Sequence, residues 1–170
     1  MAVVRVRSTG QTLTDAESIG SALTPHGIVY ERWDISKLDS AARQPGVSPE
    51  EHVLTTFADE IRSLSVSRGY QSADVIALRP DTPDLDVLLA KFDREHTHSE
   101  DEVRFVVSGR GVFVIRGVDG DLYDVEVEAG DLLAVPEGTA HWFTLCDDRQ
   151  IQCIRLFTSR DGWVANYVEA

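Results

Sequence analysis

The second half of the chain alternates apolar and polar residues with a period of two. In the clearest stretch, Tyr123, Val125 and Val127 fall on one face, as in a half-buried β-strand. The same pattern, interrupted by turn residues, predicts eight strands, at 93–98, 102–107, 111–117, 122–128, 132–135, 141–146, 151–158 and 163–168. Many short strands separated by regular turns indicate a β-barrel or a β-sandwich.

The first half has the pattern of helices between isolated strands. One helix is predicted from Ser48 to Gly69, because Ser48 and Pro49 favour a helix start and Gly69 a helix end. Its apolar stripe consists of Val53, Leu54, Phe57, Ile61 and Leu64. Shorter helices are predicted at 14–23, capped by Thr14, and after Thr82; strands are predicted at 28–33 and 74–79, and irregular structure at 34–47.

Composition and charge narrow the class of protein. A chain of 170 residues fits one domain with a sizeable core. Its net charge of −13 disfavours a nucleic acid or an anionic membrane as partner, since both would repel it. No apolar run suits a signal peptide or a membrane span. We therefore expect a cytoplasmic protein, with Cys146 and Cys153 as free thiols.

Two histidines one residue apart supply the strongest chemical signal in the chain. On a strand, His96 and His98 point the same way, with Cα atoms about 6–7 Å apart, so both imidazoles can reach one ion. Glu102 would lie about 13 Å beyond His98 on an unbroken strand. The chain must therefore turn at 99–101, where the residues are polar or charged, for Glu102 to return beside the histidines.

A downstream turn supplies a fourth ligand. Pro136 and Gly138 predict a turn, and His141 opens the strand that follows it. Three imidazoles and one carboxylate suit a divalent transition metal and argue against magnesium and calcium, which prefer oxygen ligands only. Four protein ligands leave up to two octahedral positions open, as a catalytic metal requires.

Isolated histidines are more often structural than metal-binding, and we interpret His26 and His52 in that way. A pair spaced as His96 and His98 is by itself only a moderate signal. The pair combined with the turn, Glu102 and the downstream segment ending at His141 is a strong one, so we predict a metal site there.

The spacing of these residues resembles the two sequence motifs of the cupin superfamily. The first motif matches His96, His98, Glu102 and Gly109, and the second matches Gly130, Pro136, Gly138 and His141. Ala90 replaces the glycine expected before the first histidine, and Leu145 replaces the asparagine expected after the last. The resemblance implies a mainly β fold, a double-stranded β-helix barrel with a few short α-helices mostly in the N-terminal half. We expect a single cupin domain at 1–170, with a helix-containing part at 1–80 and a metal-binding barrel core at 81–170.

The wider sequence is similar to one cupin family, the acireductone dioxygenases of methionine salvage. The similarity is dense from about 94 to 165, and it includes 95–105, Gly109 to Gly111, 141–143, 155–158 and 162–164. It implies cleavage of the anion of 1,2-dihydroxy-3-keto-5-methylthiopentene by dioxygen. Family members that hold Fe(II) give 4-methylthio-2-oxobutanoate and formate. Those that hold Ni(II) give 3-methylthiopropanoate, formate and carbon monoxide.

The resemblance also implies which residues act. One divalent ion per chain, Fe(II) or Ni(II), would be held by His96, His98, Glu102 and His141. Arg104 faces the same interior as Glu102 and is expected to bind and stabilise the substrate anion, although a salt bridge to Glu102 is an alternative role. Phe105 and Trp163 match aromatic residues of the family and are expected to contact the methylthio tail. Phe143 shares a strand face with His141 and is expected to line the pocket. Plain core packing is the alternative for all three.

Other functions remain open from the sequence. The chain could be a different cupin metalloenzyme, such as another dioxygenase or a sugar isomerase, or a cupin that binds a small ligand without catalysis. The presence of all four metal ligands weighs against the non-catalytic alternative. We expect the partners to be a small-molecule substrate and dioxygen, with no nucleic acid or membrane partner, and the chain to be a monomer.

Overall fold

The fold is a mainly β barrel, as the alternating pattern predicts. The computed structural model describes residues 1–159 and 164–169. Within these residues, eleven strands run in chain order: β1 (Val3–Val6), β2 (Thr12–Leu13), β3 (Val29–Arg32), β4 (Ser72–Leu78), β5 (His96–Thr97), β6 (Glu102–Arg116), β7 (Leu122–Glu128), β8 (Asp131–Val135), β9 (His141–Leu145), β10 (Ile151–Phe157) and β11 (Asn166–Tyr167).

The strand β6 organises both halves of the barrel. Its first half pairs with β10 and β8, and its second half pairs with β7 and β9. Further strands extend each side: β4 pairs with β10 and β3 with β8, whereas β1 pairs with β7 and β5 with β9. All these pairings are antiparallel. Because its two halves belong to different sheets, the single strand β6 joins the two sheets around one interior.

The sequence pattern predicts a break in this strand that the structure does not contain. Separate strands are expected at 102–107 and 111–117, but β6 continues from Glu102 to Arg116. Gly109 has φ of +77°, and a Cβ atom there would lie 2.2 Å from the carbonyl oxygen of Gln150. The glycine therefore lets the strand continue in close contact with Gln150, next to a shift in the register with β10 that lies between Val106 and Ser108.

Short helices occur mostly in the N-terminal half, as predicted, although several boundaries differ from the prediction. The helices are α1 (Ala16–Leu23), α2 (Ser36–Ser40), α3 (Pro49–Thr56), α4 (Ala58–Arg68) and α5 (Leu85–Leu89). The predicted helix at 48–69 is divided at Phe57, whose φ and ψ of −104° and 19° interrupt it. The N-cap of α1 is Asp15, which accepts from the Ser18 N–H, rather than Thr14. The segment 34–47, predicted to be irregular, contains α2.

Two apolar cores lie on opposite faces of the sheet that contains β4, β10, β8 and the first half of β6. One core fills the barrel interior and includes Val106, Phe113 and Cys153. The other packs α3 and α4 against the outer face, where the rings of Trp33 and Phe57 contact the ring of Phe105 at centroid distances of 4.5 and 4.8 Å. In the first half of β6, alternate residues therefore pack into different cores.

The strands β1, β3 and β4 come from the part of the chain at 1–80, yet they pair with β7, β8 and β10 from the part at 81–170. The two parts thus share the same sheets. We propose on this basis that residues 1–170 form one domain. None of the helices in the part of the chain that the structure describes has the length and apolar character needed to cross a membrane.

We expect Phe57→Ala to lower the free energy of unfolding by about 3–5 kcal/mol, because the fully buried ring leaves a cavity in the outer core. Chemical denaturation measures this loss. Val66→Ala is the control, since Val66 is 83% exposed and should change stability by less than about 0.5 kcal/mol. Equal stability of the two variants would contradict the role given to Phe57.

Candidate metal centre

Three imidazoles and one carboxylate meet inside the barrel. His96 belongs to β5, His98 follows it, Glu102 opens β6 and His141 opens β9. One potential ligand atom from each residue lies within 4.8 Å of the other three. All three histidines are buried, and the carboxylate of Glu102 is only 9% exposed. The structure thus brings together the four residues that the spacing singled out.

Strand pairing explains why residues so distant in sequence converge. His96 and His141 are directly opposite each other where β5 pairs with β9. The backbone N–H of Gly138 donates to the carbonyl of His98 at 2.9 Å, which ties the turn before His141 to the first pair of histidines. Glu102 is opposite Val135 where β6 pairs with β8. Strand pairing therefore brings the backbone positions of all four residues together.

Two acidic residues in the turn stabilise it rather than joining the site. Glu100 accepts hydrogen bonds from the backbone N–H groups of Thr158 and Ser159, at 3.2 and 3.0 Å. Asp101 accepts from the Tyr70 hydroxyl at 2.8 Å and from the Glu137 N–H at 3.0 Å. These contacts hold the turn that returns Glu102 to the histidines, so the turn predicted at 99–101 is anchored on both sides.

Each imidazole is oriented by a backbone carbonyl. A carbonyl oxygen can only accept, so each Nδ1 must carry a proton and donate it. The acceptors are the carbonyls of Arg94 for His96 at 2.6 Å, Val164 for His98 at 2.9 Å and Thr139 for His141 at 2.9 Å. This arrangement fixes the tautomer and leaves the Nε2 lone pair of each ring facing the other ligands.

The atoms that face one another lack ordinary partners. Among the described residues, the Nε2 atoms of His96, His98 and His141 and the Oε2 atom of Glu102 are buried without a hydrogen bond, although His141 Nε2 lies against Glu102 Oε2. A buried polar atom without a partner costs about 1–3 kcal/mol. A divalent ion would satisfy all four atoms at once, and three nitrogens with one oxygen form a donor set suited to iron, nickel and similar metals. The residues therefore fit the metal that the resemblance implies.

Burial and neighbouring charges shift the pKa values of all four groups, and the shifts favour metal binding at His96, His98 and Glu102. Burial lowers the pKa of the His96 and His98 imidazoles, which keeps both rings neutral. Burial opposes ionisation of Glu102, but Arg104 and His141 outweigh it and hold the pKa of its carboxyl far below the usual value. For His141, burial is outweighed by the charge of Glu102, so its pKa is raised.

The position of Arg104 is compatible with both roles that the sequence left open, a salt bridge to Glu102 and contact with a bound anion. Its guanidinium donates to Glu102 Oε1 at 2.8 Å and to the Val103 carbonyl at 3.0 Å. It also lines the cavity beside the four ligands, and its side chain is 17% exposed. A salt bridge to Glu102 and a place facing a bound ligand are thus compatible.

The cavity next to the ligands has a volume of about 60 Å³. It is lined by apolar and charged side chains, which are Ile76, Phe92, His96, Glu102, Arg104, Phe113, Phe143, Ile151, Cys153 and Arg155. Phe143 is therefore at the position expected for it, with its ring 4.8 Å from that of Phe113. Gly111 makes room for it, since a Cβ there would lie 2.4 Å from the Phe143 ring.

The expectation for Phe105 does not agree with the structure. Its side chain is fully buried against Trp33 and Phe57 in the outer core, not among the residues that line the cavity. The physical reason is strand parity, because Arg104 faces the cavity and its neighbour Phe105 must face the opposite side. Trp163, the other aromatic residue expected at the tail of the substrate, lies outside the described residues.

Sequence reasoning missed several residues that line the cavity, among them Phe92, Cys153 and Arg155. The alternation within the predicted strand 151–158 contained part of the signal, since Ile151, Cys153 and Arg155 share one face. The sequence did not reveal the strand register that pairs Arg155 with Arg104.

Burial raises the pKa of the Cys153 thiol to about 12, so this thiol stays protonated at neutral pH. Both cysteines are free, as expected, with Cys153 buried and Cys146 half-buried.

Comparisons with known proteins agree with this geometry. The sequence model described as the ARD/ARD′ family matches residues 23–165. Acireductone dioxygenase from Geobacillus kaustophilus is 46% identical over 173 residues, which cover 99% of this chain and 96% of that protein. The corresponding enzyme from Bacillus thuringiensis is 44% identical, over 98% of this chain and 100% of its own length.

A solved structure is similar over nearly the whole chain. The acireductone dioxygenase from Bacillus anthracis, determined with a cadmium ion in its active centre, superposes with a TM-score of 0.90. It is 43% identical, and the match covers 98% of each chain. The cupin barrel expected from the motifs is therefore confirmed. On the sequence match, the relatives and the shared fold together, this chain belongs to the ARD/ARD′ family of acireductone dioxygenases.

Proposed function

We propose that the chain cleaves the anion of 1,2-dihydroxy-3-keto-5-methylthiopentene with dioxygen, as a step of methionine salvage. The observation that carries this proposal is the buried cluster of four side chains whose unpartnered atoms face one another: His96, His98, Glu102 and His141. The chain that contains this cluster belongs to a family of dioxygenases. The Bacillus anthracis enzyme holds a cadmium ion in its active centre, which supports a metal role for the equivalent cavity here.

We propose that these four residues hold one Fe(II) or Ni(II) ion. With Fe(II) the products would be 4-methylthio-2-oxobutanoate and formate, and with Ni(II) they would be 3-methylthiopropanoate, formate and carbon monoxide. Both ions accept three imidazoles and a carboxylate, so the ligands alone do not select between them. When bound, the ion supplies Lewis acidity and a template that orients the enediolate for reaction with dioxygen.

The residues of the chain have distinct tasks in this proposal. His96, His98, Glu102 and His141 would hold the ion, which would supply a binding point for a chelating enediolate. Arg104 balances charge, since a divalent ion, the Glu102 carboxylate and a dianionic substrate sum to −1 and the guanidinium brings the total to zero. An unbalanced charge in a closed barrel would be costly. Phe92 and Phe143 supply apolar walls that limit the access of water to the reacting anion.

We also propose that the chain acts as a monomer in the cytoplasm, with a small molecule and dioxygen as its partners. The charge of −13 supports the exclusion of nucleic acid and anionic membranes.

The function is tested by supplying acireductone and oxygen to protein loaded separately with Fe(II) and with Ni(II). We expect oxygen uptake with both metals, keto acid from the iron form and carbon monoxide from the nickel form, measured with an oxygen electrode and by product analysis. Apoprotein is the control. Absence of oxygen uptake by both loaded forms would contradict the proposal and would favour a cupin isomerase.

The metal ligands are tested by His96→Ala. We expect this variant to lose most of its metal, because the site loses one of its nitrogen donors, with metal content measured by elemental analysis of the purified protein. His52→Ala is the matched control, since His52 lies on α3 outside the site and should leave the metal content unchanged. A full equivalent of tightly bound metal in His96→Ala would show that the ligand assignment is wrong.

The role of Arg104 is tested by Arg104→Ala. We expect this variant to keep its metal but to turn over acireductone about 10²–10³ times more slowly, as for the loss of one charge-stabilising donor. Steady-state kinetics on the metal-loaded variant measure the effect. Turnover equal to that of the wild type would remove Arg104 from the mechanism.

A further inference from the structure

Two arginines face each other across the strands that line the cavity. Arg104 on β6 and Arg155 on β10 are directly opposite partners in the antiparallel register, and both line the cavity. Opposite partners in such a pair have Cβ atoms about 4.5–5.5 Å apart, and like charges at this separation destabilise a sheet. Two guanidinium groups on one wall of the cavity are suited to binding an anion.

Each of the two cations has its own carboxylate. Arg104 donates to Glu102, as described for the metal centre. Arg155 forms a two-point contact with Asp74, its opposite partner on β4, with N···O distances of 2.8 and 2.7 Å. The side chain of Arg155 is 16% exposed and that of Asp74 is 37% exposed. The pair thus keeps its positive member closer to the interior and its negative member closer to solvent.

The charge balance distinguishes the two arginines. A divalent ion, Glu102, Arg104 and a dianionic substrate already sum to zero. The pair of Arg155 and Asp74 adds no net charge, so it can orient N–H donors towards the substrate without disturbing that balance.

The order of residues along the strands gives the site a direction. Beyond Glu102, the next interior position of β6 is Arg104, which is opposite Arg155 on β10. The following layer is apolar and contains Val106 of β6 with Cys153 and Ile151 of β10. Interior positions are spaced by about 6–7 Å along a strand. The cationic layer therefore lies between the metal ligands and an apolar layer, as a ligand with an anionic head and an apolar tail requires.

We propose that Arg155 is a second residue that binds the anionic oxygens of the substrate, and that Asp74 is a positioning residue that holds its guanidinium at the cavity. The inference rests on the proposed function, because the ligand it binds is the acireductone anion. Arg104 balances the charge of the centre, whereas Arg155 supplies oriented donors.

The test measures equilibrium binding of acireductone to nickel-loaded protein without oxygen, so that binding is separated from turnover, and then KM and kcat in air. We expect Arg155→Gln to keep a full equivalent of metal, to bind acireductone about 10–100 times more weakly and to raise KM by a similar factor. Arg155→Lys should recover only part of this affinity, because an ammonium group cannot reproduce the planar two-point contact with Asp74.

Asp74→Asn tests the positioning role with little change of volume. We expect affinity reduced several-fold, an increase in KM larger than any decrease in kcat, and recovery in Asp74→Glu. Arg5→Gln is the control, since Arg5 forms a diagonal cross-strand ion pair with Glu126 on the outside of the barrel and should leave binding unchanged.

The outcomes separate this inference from the proposed function. If the wild type binds acireductone and Arg155→Gln binds it equally well, the inference is overturned and the proposed function stands. Loss of metal in both Arg155→Gln and Asp74→Asn would also overturn it, since the pair would then be structural. If the wild type binds no acireductone, both the inference and the proposed function fail.

Discussion

The structure depends on keeping four polar atoms buried around one point, none of them in a hydrogen bond with the protein. Three Nδ1–H groups are satisfied by the carbonyls of Arg94, Val164 and Thr139, and this leaves three Nε2 atoms and one carboxylate oxygen facing one another. At about 1–3 kcal/mol each, their desolvation takes a large part of the stability of a small domain. A bound ion would convert this cost into binding energy, so metal affinity and folding stability are coupled here.

The barrel can tolerate the cost of burying these polar atoms because the two faces of β6 lie in different environments. The face with Glu102 and Arg104 points into the cavity, whereas Val103 and Phe105 pack in the outer core against the helices. Apolar burial on the outer face therefore stabilises the strand that carries the polar residues on the inner face. The same alternation fixes the direction of Arg104, because its neighbours cannot rotate out of the core without exposing apolar surface.

Local spacing was sufficient to predict the four ligands, the turn at 99–101 and most strands, since these depend on a few consecutive residues. Features that depend on register were not predictable in this way. Phe105 was expected at the substrate because it matches an aromatic residue of the family, but strand parity places it in the outer core. Arg155 was missed because its position opposite Arg104 follows only from how β10 pairs with β6. The continuous strand through Gly109 was missed because a glycine between apolar runs usually indicates a turn.

The overall negative charge does not prevent the chain from binding an anion. A chain with a net charge of −13 repels a dianion at long range, yet the Debye length at physiological ionic strength is about 8 Å. Beyond that distance the surface carboxylates have little influence, and inside the barrel a substrate responds to the groups that line the cavity. Arg104 and Arg155 both lie there, each beside a carboxylate that lowers the cost of burying its charge when no substrate is present. An acidic protein can therefore bind an anion, provided that the attraction is confined to the site.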